Sequence, residues 1–518
     1  MSEVVSSSLR ARSLNKTGYL REAASRAIAA TVFYSLLIVM ALTAIPYGAA
    51  EPWWKALADC LILVLATFGL IGKLLDGQVH DQAGRFGYQL IFPLLALVTF
   101  AFIQTVPWFS STTVTAIAFP RTLSADVFQT RLFIIHLCAL ILAGWLLVRY
   151  TTTPRRLRHL VETIIVIGVM SAGFGLWRQT SQHGIGFVLP YLRPGFGFGQ
   201  FINPNHFAFL MEMALGLTLG IAICRGVSGS RLALYLFAAV PMWVALVLAN
   251  SRGGLISILC QVVFLAVLLV SHRAGHAPAA RLSRIQRLAL QAALVATLLI
   301  GAVATVVVVG GDRLAGRIDS LSVELDRKTA ESYTLRQNIW SATWELIKDH
   351  PVSGVGFGGY WIAITRYHRA SGGTTPQQAH SDYLELLASG GLIGLAIGIW
   401  FIVVFVRAAY CKVRAADRYL RAVKLGALAG IITVAVHSLV DFGLHIPVNA
   451  LVCTALVALV VGEQRSEVRG QRSEVRGQRS EVRGQRSEVR GQKSEVRSQK
   501  SEVRSQKSEV RTQRRPSP

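Results

Sequence analysis

Apolar runs of roughly 18 to 23 residues recur along the chain, each long enough as a helix to cross a hydrocarbon layer of about 30 Å. They fall at 27–46, 54–71, 88–106, 129–148, 159–177, 205–223, 232–249, 253–270, 288–309, 383–406, 423–442 and 446–462. None shows the alternation of a membrane strand, so the pattern predicts an all-α, polytopic membrane helix bundle of about 12 transmembrane helices rather than a barrel. The polar stretches between them are short except for 310–381, a large loop before helix 10. Within it, 333–349 has a helical period that sets Leu335, Ile339, Ala342, Leu346 and Ile347 on one stripe, with Arg336, Trp340 and Trp344 on a neighbouring one.

The expected organisation is therefore an N-terminus over 1–26, helices 1–9 over 27–309, the large loop over 310–381, helices 10–12 over 382–462 and a tail over 463–518. The tail repeats Gln464-Arg465-Ser466-Glu467-Val468-Arg469-Gly470 with small changes through Thr512. One apolar residue per seven is half of what a coiled-coil seam needs, so the repeat reads as a disordered charged segment without a catalytic part.

Cations orient the bundle. Arg10, Arg12, Lys16, Arg21 and Arg26 precede the first span, and Arg149, Arg155, Arg156 and Arg158 follow the fourth. Arg273, Arg281, Arg284 and Arg287 follow the eighth, and Arg407, Lys412, Arg414, Arg418, Arg421 and Lys424 follow the tenth. With twelve spans these clusters share one face, which the positive-inside rule makes cytoplasmic, together with both termini. The 310–381 loop then lies outside. No cleavable leader is evident, and the first span is expected to be retained.

Composition changes this picture little. Apolar residues make up 52% of the chain, mean hydropathy is +0.46 and only 16% of residues are charged, which excludes an ordinary soluble enzyme. The net charge of +25 does not imply nucleic acid: the tail, with 16 Lys+Arg against 8 Asp+Glu, supplies +8, and the rest flanks apolar spans where anionic membrane lipids are the partners. Six cysteines without a Cys-x-x-Cys pair read as small core residues, not as a disulfide or metal site.

Candidate chemistry lies on the outer face. Arg252 follows the seventh span, Arg336 sits early in the loop helix, and His380 stands just before the tenth span. An arginine keeps its charge beside a bilayer and offers a planar fork of donors suited to a phosphate or diphosphate. Arg336 alone reads equally as an interfacial residue directed at head groups, and His380 alone as a helix cap. Asn203-Pro204-Asn205-His206 opens the sixth span, where Asn203 or Asn205 can cap the helix. His437 and Asp441, four apart on the expected eleventh helix, share a face; ionisable groups at that depth mark either a functional site or a satisfied structural pair. The glycines of 354–359 follow a helix rather than a strand and lack dinucleotide spacing, and the chain has no Walker, Asp-x-Asp or His-Glu-x-x-His sequence.

Four blocks in order carry a resemblance: Asn203-Pro204-Asn205-His206-Phe207-Ala208; Ser251-Arg252-Gly253-Gly254; Arg336 to Trp340 running into His350-Pro351-Val352-Ser353-Gly354-Val355-Gly356; and His380-Ser381-Asp382-Tyr383-Leu384-Glu385. Over roughly 190–445 the chain resembles the O-antigen ligase and polymerase family of bacterial envelope glycosyltransferases. It departs at Ser381, where members often carry asparagine, and at Glu385, where glutamine is frequent.

The resemblance implies transfer of a glycan from an undecaprenyl diphosphate carrier to a lipid A-core or glycan acceptor at the outer face of the inner membrane, without metal or cofactor. In that setting Arg252 and Arg336 would hold the diphosphate and His380 would activate the acceptor. Asn203, Asn205, His206, Asp382 and Asp441 are candidate substrate contacts. A polymerase of the same chemistry and a protein-glycosylating relative remain open, as does a polysaccharide transporter or flippase, which twelve spans also fit.

Overall fold

A computed structural model describes residues 2–76, 85–108, 122–181, 192, 197–224, 226–274, 336–368, 376–413, 417–463 and 500. The chain divides into two units, Met1–Glu463 and Gln464–Pro518. The repeat tail, Lys500 apart, lies outside the described residues, as do the ninth expected span, 288–309, and residues 310–335 of the large loop.

The described residues are helical, with a lone antiparallel bridge between Phe198 and Phe201. The helices are α1 Ser2–Ala44, α2 Pro52–Asp76, α3 Arg85–Thr105, α4 Val127–Tyr150, α5 Pro154–Ser181, α6 Pro204–Ile223, α7 Ser230–Leu248 and α8 Arg252–Ala274. They continue with α9 over 336–349, α10 Tyr360–Ala363, α11 Asp382–Lys412, α12 Arg418–His437 and α13 Pro447–Val461. Eight are long and apolar enough to cross a membrane, and Gln89–Thr105, Arg252–Val267 and Pro447–Val461 are shorter apolar helices. Every expected span except 288–309 thus falls on a described helix. The first begins earlier than expected, since α1 is continuous from Ser2.

The bundle is built around α6, of which almost every residue is buried. Its partner α12 comes unusually close because both carry glycines four residues apart. A Cβ on Gly220 would stand 2.2 Å from the Cα of Gly426, and one on Gly216 would stand 2.5 Å from the backbone N of Gly430. Backbones can meet at that distance only where side chains are absent, and the close van der Waals packing that results drives association in a medium as apolar as the helices themselves. Helix α8 joins the pair by the same device: a Cβ on Gly253 would lie 2.6 Å from the His437 ring, and one on Gly254 would lie 2.9 Å from the Cβ of Ala208.

Two further spans differ from expectation. The eleventh ends at His437 rather than 442, and 438–446 form a turn and a short 3-10 segment, Gly443–His445. The chain leaves the helix there because Gly443 is pressed onto Phe209, where a Cβ would sit 2.2 Å from the ring, and because the Asp441 carboxylate is held by other elements. The tenth is kinked. At 31 residues α11 would be roughly 46 Å long, well beyond a hydrocarbon layer of about 30 Å. Gly391, at φ +59°, breaks it, leaving 21 residues after the break to span and a first part that packs with the loop.

That loop forms a small core of its own. Ala342, Leu346 and Ile347 of α9 pack with Val355, Tyr360, Ile364, Ala379 and Ala388, so the expected apolar stripe is the buried face. The glycines of 354–359 serve this packing: Gly354 rests on the Ser389 backbone and Gly356 on Ser124. Gln104 of α3 pins the turn, donating from Nε2 to the carbonyls of Ser353 (2.7 Å) and Ser389 (2.9 Å) and accepting from the Phe357 N–H (3.2 Å).

Candidate functional site

The starts of α2, α4, α6, α8, α11 and α13 lie at one end of the bundle with the end of α12 and the loop core: Gly48 before α2 abuts Phe201 and Val448, Gly356 abuts Ser124 before α4, Gly253 abuts His437, and the Asp382 N–H donates to the Ser438 carbonyl. The α6–α12 crossing sets the register there. Asn205 lies 15 residues before Gly220 and Asp441 lies 15 after Gly426, so the antiparallel pair delivers them to the same level.

Asp441 is the centre of the arrangement. Fully buried, it accepts from Asn205 Nδ2 and from the backbone N–H of Phe442 (2.8 Å), lies 3.5 Å from Arg336 Nη2, and is 3.8 Å from His206 Nε2. Two helices and the turn after α12 therefore bring four polar groups to one carboxylate. Arg336 is directed at Asp441 and keeps about a third of its side chain exposed (32%); among the described residues only its Nη2 is engaged, which leaves its other N–H donors for another anion. A cation and two donors offset the cost of burying the carboxylate, and the carboxylate in turn aims the guanidinium.

His380 completes the group. It holds φ +52°, a left-handed conformation that is strained for a residue with a Cβ. Both flanks are tied: the Ala379 N–H donates to Glu385 Oε2 (3.0 Å), the Ala379 carbonyl accepts from Trp340 Nε1 (3.0 Å), and on the other side Ser381 Oγ (3.4 Å) and the Asp382 N–H (3.0 Å) both donate to the Ser438 carbonyl. Ser381 caps α11, its Oγ accepting from the Leu384 N–H at 3.4 Å. His380 itself is therefore not the cap. Its ring meets Phe442 edge to face at 5.0 Å, and its Nδ1 is buried without a hydrogen-bond partner among the described residues. Burial lowers the imidazole below the usual histidine value; the Asp441 carboxylate opposes the shift and the Arg336 guanidinium adds to it.

The other expected residues fall as follows. Asn203 caps α6, its Oδ1 accepting from the Asn205 N–H (2.9 Å), with Nδ2 3.4 Å from His206 Nε2. Asp382 accepts from Ser438 Oγ (2.6 Å) and lies 3.5 Å from His445 Nε2, inside a network that includes Glu385. Arg252 is exposed at the first position of α8, directly before the glycine that abuts His437; Ser251 Oγ accepts from the Gly254 N–H (3.1 Å) to cap that helix. Arg252 thus shares the end of the bundle, while the direct contacts to Asp441 come from Arg336, Asn205, His206 and Phe442.

His437 and Asp441 do not pair with each other as a common helical face suggests. The helix ends between them. His437 Nδ1 instead bonds Glu212 Oε1 of α6 at 2.9 Å, both side chains wholly buried, with Phe209 stacked on the imidazole at 4.1 Å. Glu212 is absent from the sequence candidates, although a carboxylate within an apolar span is itself a signal. His445 and the buried Asp59–His136 pair (2.8 Å) at the same end escape a reading of the sequence too, because nothing local couples residues 77 apart.

No curated protein matches the chain. Residues 237–399, a stretch that holds Arg252, Arg336, His380 and Asp382, match the family model described as O-antigen ligase, which makes this part of the chain an O-antigen ligase family domain.

Proposed function

We propose that the protein transfers a glycan from an undecaprenyl diphosphate carrier to a lipid A-core acceptor at the periplasmic face of a bacterial inner membrane. The observation that carries this reading is the gathering of Arg336, Asn205, His206 and His380 about buried Asp441. It lies opposite the end where Lys73, Arg149, Arg155, Arg156, Arg407, Lys412 and Arg418 flank the helices, the end expected in the cytoplasm with both termini.

In this reading the acceptor hydroxyl oxygen attacks the anomeric carbon of the donor. The bond to the carrier diphosphate breaks with its electron pair, and the hydroxyl proton passes to His380. A neutral imidazole is required, and the lowered proton affinity of His380 keeps it neutral at ordinary pH. Such a base is worth about 10²- to 10⁴-fold. Arg336 and Arg252 receive the charge that develops on the diphosphate, so no separate acid is needed. Asp441 holds Arg336 in place, and a single displacement inverts the anomeric centre.

The test is a deletion strain examined for surface glycan and complemented with variants. Loss of polymeric glycan from lipid A, with polymer retained on its carrier, is expected; His380→Ala and Arg336→Ala should insert normally yet fail to complement. A residual single-unit band would replace the ligase reading with the polymerase, and unchanged glycan with a transport defect would sink both.

A further inference from the structure

Phe442 stands among three histidines. Its ring centroid is 5.0 Å from that of His380, 4.8 Å from His206 and 5.9 Å from His445, at interplanar angles of 75°, 78° and 90°. In each contact a ring edge meets a ring face, the arrangement aromatic quadrupoles favour. It follows Asp441 directly, and its own N–H donates to the Asp441 carboxylate at 2.8 Å. The turn that leaves α12 early is what puts this ring beside His380.

The His380 backbone is fixed from both sides, but no hydrogen bond to Nδ1 among the described residues sets the plane of its ring. A general base usually takes that orientation from a carboxylate or carbonyl. Here the face available to do so is aromatic. We infer that Phe442 is the positioning residue for the His380 imidazole: it fixes the ring plane by edge-to-face packing and keeps water off one side. This rests on the reading of His380 as the base.

The charged and titratable groups that face His380 are Asp441 from the turn after α12, Arg336 from α9 and His206 from α6. Substituting Phe442 leaves Asp441 and Arg336 their contacts, since its bond to Asp441 is made by the backbone and survives; of the three groups only His206 loses a ring contact. The experiment therefore measures glycan transfer by full-length protein in vesicles, from a lipid diphosphate-linked donor to a core acceptor, for wild type, Phe442→Leu, Phe442→Tyr and His380→Ala.

Phe442→Leu should lower kcat about 10- to 100-fold, in line with a small misplacement of a reacting group, while the KM for donor stays within about twofold. Its acid limb should move up toward about 6.5, the unperturbed histidine value, because water reaches the imidazole. Phe442→Tyr, which keeps the ring, should restore both. If Phe442→Leu does not insert, Phe442→Met takes its place, an unbranched side chain without a flat face.

Wild-type kcat and acid limb in the leucine or methionine variant overturn the inference, as does a tyrosine variant no better than leucine. Transfer retained by His380→Ala removes the base reading itself, a separate outcome from failure of the Phe442 arm alone.

Discussion

The buried pair of Glu212 and His437 ties α6 to α12 just below the turn that carries Asp441. Substituting Glu212→Met removes the carboxylate with little change of volume and leaves His437 Nδ1 without an acceptor in a fully buried position. Two magnitudes bracket the effect. Breaking a buried ion pair from one side costs about 3 to 5 kcal/mol, whereas hydrogen bonds between membrane helices average about 0.6 and reach about 1.7 kcal/mol. The cluster is incompletely satisfied even when intact: Glu212 Oε2, His437 Nε2 and Gln261 Oε1 are buried without partners among the described residues. That argues for the middle of the bracket, a loss of about 2 kcal/mol. His437→Phe should retain the stack on Phe209, and the double variant should be less unstable than the two single losses together, by about 1 kcal/mol or more. The assay is equilibrium unfolding in mixed micelles followed by helix content. A Glu212→Met variant within about 0.5 kcal/mol of wild type and additive with His437→Phe would refute the reasoning, since neighbours in one network do not behave independently.

Two further outcomes follow from other parts of the site. Gly391→Ala and Gly354→Ala each force a Cβ onto a left-handed backbone at φ +59° and +61°, within 2.3 Å of the Val352 carbonyl oxygen and 2.4 Å of the Ser389 carbonyl carbon. Each should destabilise the protein by about 2 to 4 kcal/mol, read as a lower unfolding temperature, and a neutral result would mean the helix break is not required. For His380 the folded state binds a proton less readily than the unfolded chain, so transfer by wild type should hold to below about pH 6.5. Its share of stability is present above about pH 6.5 and is lost as pH falls from there toward the lowered value. A wild-type acid limb at or above about pH 6.5 would contradict the environment described for the ring.

Much was legible in the sequence because membrane helices obey one dominant constraint. A span must be apolar for its whole length, which is a local property, so 27–46 or 205–223 can be read without knowing any neighbour. Cation placement is local in the same sense, and so is the periodicity of 336–349, whose stripe is the buried face. Asn203 likewise announced a helix start.

What only the tertiary structure decided is which polar groups meet. Asn205 and Asp441 are 236 residues apart, and they touch because glycines at 216, 220, 426 and 430 let two backbones close to a distance no side chain permits. The same closeness turns His437 inward to Glu212 and ends α12 early, which sends Asp441 and Phe442 to Arg336 and His380 instead of along a helical face. Hydropathy fixes which segments enter the membrane. It carries no information on the depth at which two of them cross, and that depth is what assembles the charges.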